Sequence, residues 1–211
     1  MQRQRNPVLL TSPVVLFKAA GVDPGLRFLG MAVLSMPLPS TGATGPKPLP
    51  MLQMIQVLET EKTPKKAMRD LRVSADDQRR LKYLWDRISQ MLIEHRPQAM
   101  GVESYAPFPG QMGGSAWKVA FAYQLAMCAG WAYGILPMVF RPDDLKRRLL
   151  GKNAGTKVAV EDVLRTLVTG FGDALDKLPK TKREHAADAV GHALLALEEA
   201  AKMRAMYGGA F

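Results

Sequence analysis

The sequence predicts an α/β fold built on a five-stranded mixed sheet flanked by helices. Three patterns predict it. Val14 to Val22 is a nearly continuous apolar run, as expected of a strand covered on both faces. Two further strand candidates, Gly30 to Met36 and Met51 to Glu59, follow before any helical pattern. Helices and short strands alternate afterwards, giving the order β-β-β-α-β-α-β-α-α-α, part antiparallel and part parallel.

Each element has a local reason. Pro24-Gly25 ends the first run and turns the chain back into a hairpin. Residues 37–50 carry five prolines without periodicity and read as an exposed loop. Lys62 to Arg72 is basic and unpatterned, a second loop. Ser74 opens a helix, with Asp77 as a weaker capping-box partner. Leu81, Leu84, Trp85, Ile88 and Leu92 recur at helical spacing until Arg96-Pro97 stops it. Ala99 to Glu103 is a short buried strand, Pro107 to Gly114 a loop, and Ser115 to Tyr133 an alanine-rich, aromatic helix. Pro137 to Phe140 is the fifth strand. Helices over Pro142 to Leu150 and Thr156 to Val168 follow, and Thr181 with Glu184 forms a capping box for the last helix.

Composition sets the outer limits. A chain of 211 residues, 47% hydrophobic, suits one substantial core. We divide it into a basic tail (1–13), one domain (14–203) and a C-terminal tail (204–211). The net charge of +10 and pI near 9.9 point to a polyanionic partner. Cys128 is the single cysteine, so no intrachain disulfide forms, and it reads as a small buried hydrophobe. No apolar run reaches the ~18 residues of a membrane span. Arg3 and Arg5 before an apolar stretch resemble a secretion signal, but Pro13 and Lys18 interrupt it.

The chemistry gathers at element ends. Asp23 closes the first strand and Glu103 the fourth. His185 and Asp188, three apart in Glu184-His185-Ala186-Ala187-Asp188-Ala189, share one helix face. Ligands of open α/β sheets collect outside strand ends. If the first and fourth strands are parallel neighbours, their terminal carboxylates face each other across ~4.8 Å, and the last helix must cross that edge. Hard divalent cations take carboxylate oxygens, and Mn²⁺ tolerates imidazole better than Mg²⁺. Two such ions ~3.5–4 Å apart activate a water and stabilise the leaving oxygen of a phosphodiester. Each residue also has a plain structural reading: turn chemistry for Asp23, solvation for Glu103, dipole compensation for Asp188, a first-turn surface position for His185. Their joint placement favours the metal cradle. Asp143 and Asp144 read as dipole-compensating acids, and His95 and His192 as structural or solvated.

Basic residues surround this set. Arg141, Lys146, Arg147, Arg148, Lys152 and Lys157 form one run, and Lys177, Lys180, Lys182 and Arg183 a second, just before the last helix. Phosphate contacts of this kind give affinity and position without reading sequence. Tyr105 and Phe108 lie in the loop after Glu103, where aromatics would stack on unpaired bases.

Gly21-Val22-Asp23-Pro24-Gly25-Leu26-Arg27, Val102-Glu103 and His185-Ala186-Ala187-Asp188-Ala189 together resemble the RuvC family of Holliday junction resolvases, in the RNase H-like superfamily. The resemblance runs from about Leu16 to Leu197. It implies an RNase H-like fold in which Asp23, Glu103, His185 and Asp188 bind two Mg²⁺ ions, with Mn²⁺ substituting. It implies Lys146 and Lys157 on phosphate near the cut, and a homodimer whose subunits each nick one of two symmetric strands of a four-way DNA junction. A cytoplasmic place in a bacterium or virus-infected bacterium, or an organelle, follows. The segments 37–50 and 62–72 lengthen the first hairpin region relative to a compact bacterial member. Two other classes are weighed: a branched DNA or RNA binding protein without catalysis or with broad specificity, and an actin-like sugar kinase or ATPase, for which 211 residues leave little room.

Overall fold

The computed structural model describes residues 16–37, 48–64, 73–105, 116–151 and 156–207. Five strands, β1 (Leu16–Asp23), β2 (Phe28–Pro37), β3 (Met51–Glu59), β4 (Ala99–Glu103) and β5 (Pro137–Phe140), form one sheet in the order β3-β2-β1-β4-β5. The β3-β2-β1 side is antiparallel, and β1-β4 and β4-β5 are parallel. The helices are α1 (Val73–His95), α2 (Ala116–Ala132), α3 (Pro142–Leu150), α4 (Lys157–Leu167), α5 (Phe171–Asp176) and α6 (Lys180–Tyr207). The expected mixed sheet is therefore present, with strands one to two residues longer at the hairpin than the apolar runs indicated.

Period-two alternation sorts the sheet into two apolar layers. Ala20, Val22, Leu29, Met31, Val33, Met100 and Val102 pack with Leu84 and Ile88 of α1 and Ala126 of α2. On the opposite face Ala19, Ala32, Leu34 and Ala99 pack with Leu145, Leu164 and the small residues of α6. The same alternation puts Gly21 and Asp23 on the α6 face of β1, and Gly101 and Glu103 on the α6 face of β4.

Glycine brings α6 down onto the sheet. A Cβ on Gly30 would overlap the His185 carbonyl, one on Gly21 the Ala189 carbonyl and Ala193 amide, and one on Gly101 the His192 carbonyl. Ala186, Ala189, Ala193 and Ala196, all fully buried, give α6 a face as flat as the strands beneath it.

The far edge of β3 is covered in part. Leu52 N donates to Thr169 O (3.0 Å) and Thr169 N to Pro50 O (2.9 Å), so the α4–α5 connection bridges to the start of the edge strand.

Several local expectations are corrected. Helix α5 was not read from the sequence, because six residues are too few to show a period. Helix α1 starts at Val73, so Ser74 lies inside it, and α6 starts at Lys180, which moves Thr181 and Glu184 off the capping positions. Helix α6 also continues through Tyr207, past the domain boundary placed at 203. Cys128 is exposed rather than buried: it lies on the outer face of α2, away from the buried Ala126 and Ala129. Asp144 accepts from Arg141 N (2.8 Å), capping α3. The expected loops within 38–47, 65–72, 106–115 and 152–155, and both tails up to residue 15 and beyond 207, lie outside the described residues. Among the described residues no helix is long and apolar enough to cross a membrane.

Because the obstacle at Gly21 is backbone on both sides, neither partner has a side chain to rotate away. Gly21→Ala is expected to cost about 3 kcal/mol or to prevent soluble folding, read as the denaturation midpoint against wild type.

Candidate metal centre

Asp23 is the last residue of β1 and Glu103 the last of β4, and the register Val22↔Val102 sets the two carboxylates side by side at one sheet edge. Helix α6 crosses that edge over Gly30, Gly21 and Gly101 in turn. Residues three and four apart on its underside therefore arrive in sequence: His185 beside β2 and β1, Asp188 between β1 and β4, His192 over β4. One carboxylate oxygen from each of Asp23, Glu103 and Asp188 lies within 4.8 Å of the others. The fourth expected member is also present, since His185 Nδ1 and Asp23 Oδ2 share a hydrogen bond of 2.6 Å.

The imidazole of His185 is held from the other side by Phe28, whose ring stacks on it at 5.2 Å between centroids and 27° between planes. Arg27 in turn lies over Phe28, 4.9 Å from its centroid. The bond to Asp23 and the stack together fix the ring orientation.

Electrostatics makes this an unfavourable place for an uncompensated charge. Burial pushes the Asp23 carboxyl above its usual range, and the neighbouring Glu103 pushes the same way, while the His185 hydrogen bond opposes both. All the acidic donors are hard oxygens, and a divalent cation would remove the repulsion that raises Asp23, so the residues present fit such an ion. Asp23, Glu103 and Asp188 would hold it.

The turn after Asp23 is braced from the other side of the sheet by a network the sequence reading missed. Arg80 is buried; its Nε donates to Thr60 Oγ1 (2.8 Å) and its Nη2 to Leu26 O (3.2 Å) and Thr60 O (3.3 Å). Thr60 Oγ1 donates to the same Leu26 carbonyl. Asp77 balances the guanidinium at 3.3 Å and also takes Lys118 Nζ at 3.0 Å. The spacing Asp77-x-x-Arg80 predicts a pair on one helix face but not its burial.

The basic and aromatic candidates divide. Lys146 lines a cleft of about 90 Å³ with Glu103, Asp188, Leu145 and His192. Arg147 is exposed on α3, 3.7 Å from Asp144. Arg148 makes a two-point contact with Glu198 (2.6 and 2.8 Å) that ties α3 to α6. Lys182 pairs with Glu59 at 3.2 Å, and Arg183 donates to the Leu178 and Asp176 carbonyls, each at 3.1 Å. Those three cations therefore have partners within the fold. Tyr105 is half-buried two residues after Glu103, and Lys157 is the first residue of α4. Phe108 and Lys152 lie outside the described residues.

The sheet order, the helix across its edge and the acids at two parallel strand ends define an RNase H-like fold. RuvC from Thermus thermophilus superposes with a TM-score of 0.64, at 24% identity, over 90% of this chain and 97% of that one. The yeast mitochondrial Holliday junction resolvase Ydc2 superposes at 0.55, with 10% identity over 90% of this chain and 83% of that one. A crossover junction endodeoxyribonuclease RuvC from Alkalilimnicola ehrlichii is 31% identical over 121 residues, 57% of this chain and 67% of that protein. The RuvC of Methylococcus capsulatus is 28% identical over 165 residues, 76% and 86% of the two chains. No model of a protein family matches the chain. The chain belongs to the RuvC family.

Asp23 has a testable cost. Its raised carboxyl value means the folded state holds the proton more tightly than the unfolded one. The stability it contributes is present at acid pH and lost as pH rises through that raised value. At neutral pH without metal, Asp23→Asn should therefore be more stable than wild type by about 1 kcal/mol, or roughly 2–4 °C in a thermal melt in EDTA.

Proposed function

We propose that this chain is a metal-dependent endonuclease that nicks four-way DNA junctions symmetrically and so resolves them. The observation that carries the reading is the meeting of three carboxylates, with oxygens within 4.8 Å, at the edge of two parallel strands in a chain of net charge +10. Binding to nucleic acid alone would disfavour acids at that edge, since they repel the phosphate backbone.

In this reading Asp23, Glu103 and Asp188 hold two Mg²⁺ ions, with Mn²⁺ as a substitute, and His185 binds or orients one of them. Bound there, such ions supply Lewis-acid polarisation of the scissile phosphate and lower the cost of forming the attacking hydroxide. His185 keeps Asp23 oriented through its Nδ1 bond and opposes the burial that raises its carboxyl. Lys146, on the cleft wall with Glu103 and Asp188, neutralises a phosphate oxygen next to the cut. Lys157 and the exposed Arg147 extend the track for the backbone, with Lys152, Tyr105 and Phe108 as further contacts. Arg148, Lys182 and Arg183 act first as fasteners of α3, β3 and α5 to α6. The products are 5′-phosphate and 3′-hydroxyl ends, and the site of action is the cytoplasm.

Two symmetric cuts need two centres, hence a homodimer. Helix α2 offers the face: Trp117, Phe121, Gln124, Cys128 and Trp131 are exposed along one stripe, and Trp117 meets Phe121 edge to face at 5.5 Å. A stripe of large exposed rings on an otherwise apolar helix is the composition of a protein contact.

With Mg²⁺ and a synthetic four-way junction, wild type should nick two opposed strands. Asp23→Asn should lose at least 10³-fold in rate while still binding the junction in a gel-shift measurement, and Lys146→Ala should slow cutting with its melting transition intact. Equal cutting by wild type and Asp23→Asn sinks the assignment; binding without nicking by wild type supports the non-catalytic alternative. Trp131→Glu, which places a charge on the α2 stripe, is expected to convert dimers to monomers in light scattering.

A further inference from the structure

In the sequence His192 reads as structural or solvated. In the fold it is 1% exposed, with Nε2 standing 3.7 Å from Glu103 Oε2. It lies one helical turn after Asp188, and both line the cleft that contains Glu103. Phe140 covers the ring in a parallel stack at 6.4 Å and 12°. The helix backbone at His192 is locked in place, since its carbonyl sits against Gly101, two residues before Glu103 on the same face of β4. Nδ1 is buried and has no hydrogen-bond partner among the described residues.

These facts restrict what the ring is for. A packing residue at this depth would be apolar, because a buried imidazole nitrogen without a partner is costly. A neutral imidazole has one donor and one acceptor. Leaving the unpartnered Nδ1 as the acceptor directs the Nε2–H at Glu103. Glu103 is the single link in the oxygen cluster that hangs from a long, three-torsion side chain, so it has the most freedom to lose. Hydrogen bonds at such centres are commonly long without ligand and tighten when it binds.

We propose that His192 is a positioning residue: its Nε2–H steers the Glu103 carboxylate toward Asp23 and Asp188, preforming the oxygen cluster for the cations. This rests on the reading of Glu103 as a metal ligand. Outer partners of ligating carboxylates of this kind change metal affinity by about 10–100-fold.

The test is Mn²⁺ alone titrated against the full chain, read as the metal-induced rise in melting temperature. H192L should weaken apparent Mn²⁺ affinity about 10–100-fold. H192Q, which keeps a donor at the reach of Nε2, should recover most of that loss, and H192N, too short, should not. In an E103Q background H192L should have no further effect. In junction nicking, H192L should raise the Mn²⁺ concentration for half-maximal rate with the KM for DNA unchanged. Wild-type Mn²⁺ affinity in H192L, or the same added loss in the E103Q background, would overturn the proposal in favour of packing. If H192L shows no metal-free melting transition, the decision passes to H192Q against H192N, and equal affinity in those two overturns it. If wild type itself shows no Mn²⁺-induced shift, the metal centre falls and the proposal with it, an outcome distinct from the others.

Discussion

The contact between the backbone of α6 and the backbones of β2, β1 and β4 governs the whole arrangement. Helices normally rest on sheets through a layer of side chains. Here Gly30, Gly21 and Gly101 remove that layer on one side, and the alanines of α6 remove most of it on the other. The short side chains of Asp23 and Asp188 can meet only because of that approach. Alternation along the strands then does the rest: two residues beyond each central glycine, on the same face, stands an acid.

The sheet divides its labour between faces. The α6 face carries the acids, with burial and mutual repulsion working against them. The α1 face carries Arg80, whose three bonds to Leu26 and Thr60 fix the turn behind Asp23. The strained side is thus held by a network in which the guanidinium, hydroxyl and carboxylate are all satisfied, as a buried ionic group requires.

Much of this was legible in the chain. The strand candidates, their mixed pairing and the meeting of Asp23, Glu103, His185 and Asp188 follow from apolar runs with acids at their ends and from one helical spacing. What stayed hidden has physical causes. Helix α5 is shorter than the window in which a period can be seen. Arg80 and Asp77 gave no sign of burial, because two opposite charges at helical spacing usually sit on a solvated surface. The exposure of Cys128 is hidden because α2 is apolar over most of its surface, so its sequence does not say which face is covered. His192 acquires its acid through β4, 89 residues upstream at Glu103, and the clue is its one-turn offset from Asp188. Among the cations, sequence proximity to the last helix did not separate those facing the cleft from those spent on Glu198, Glu59 and the Leu178 and Asp176 carbonyls.

The bridge between Thr169 and the start of β3 has a consequence for the molecule in company. An edge strand presents unpaired amides and carbonyls that another copy can adopt as a template, the first step toward ordered aggregates. At Pro50 and Leu52 those groups are already engaged by the α4–α5 connection. Along that stretch of the rim, recruitment of a foreign strand would first have to evict a piece of the protein's own chain.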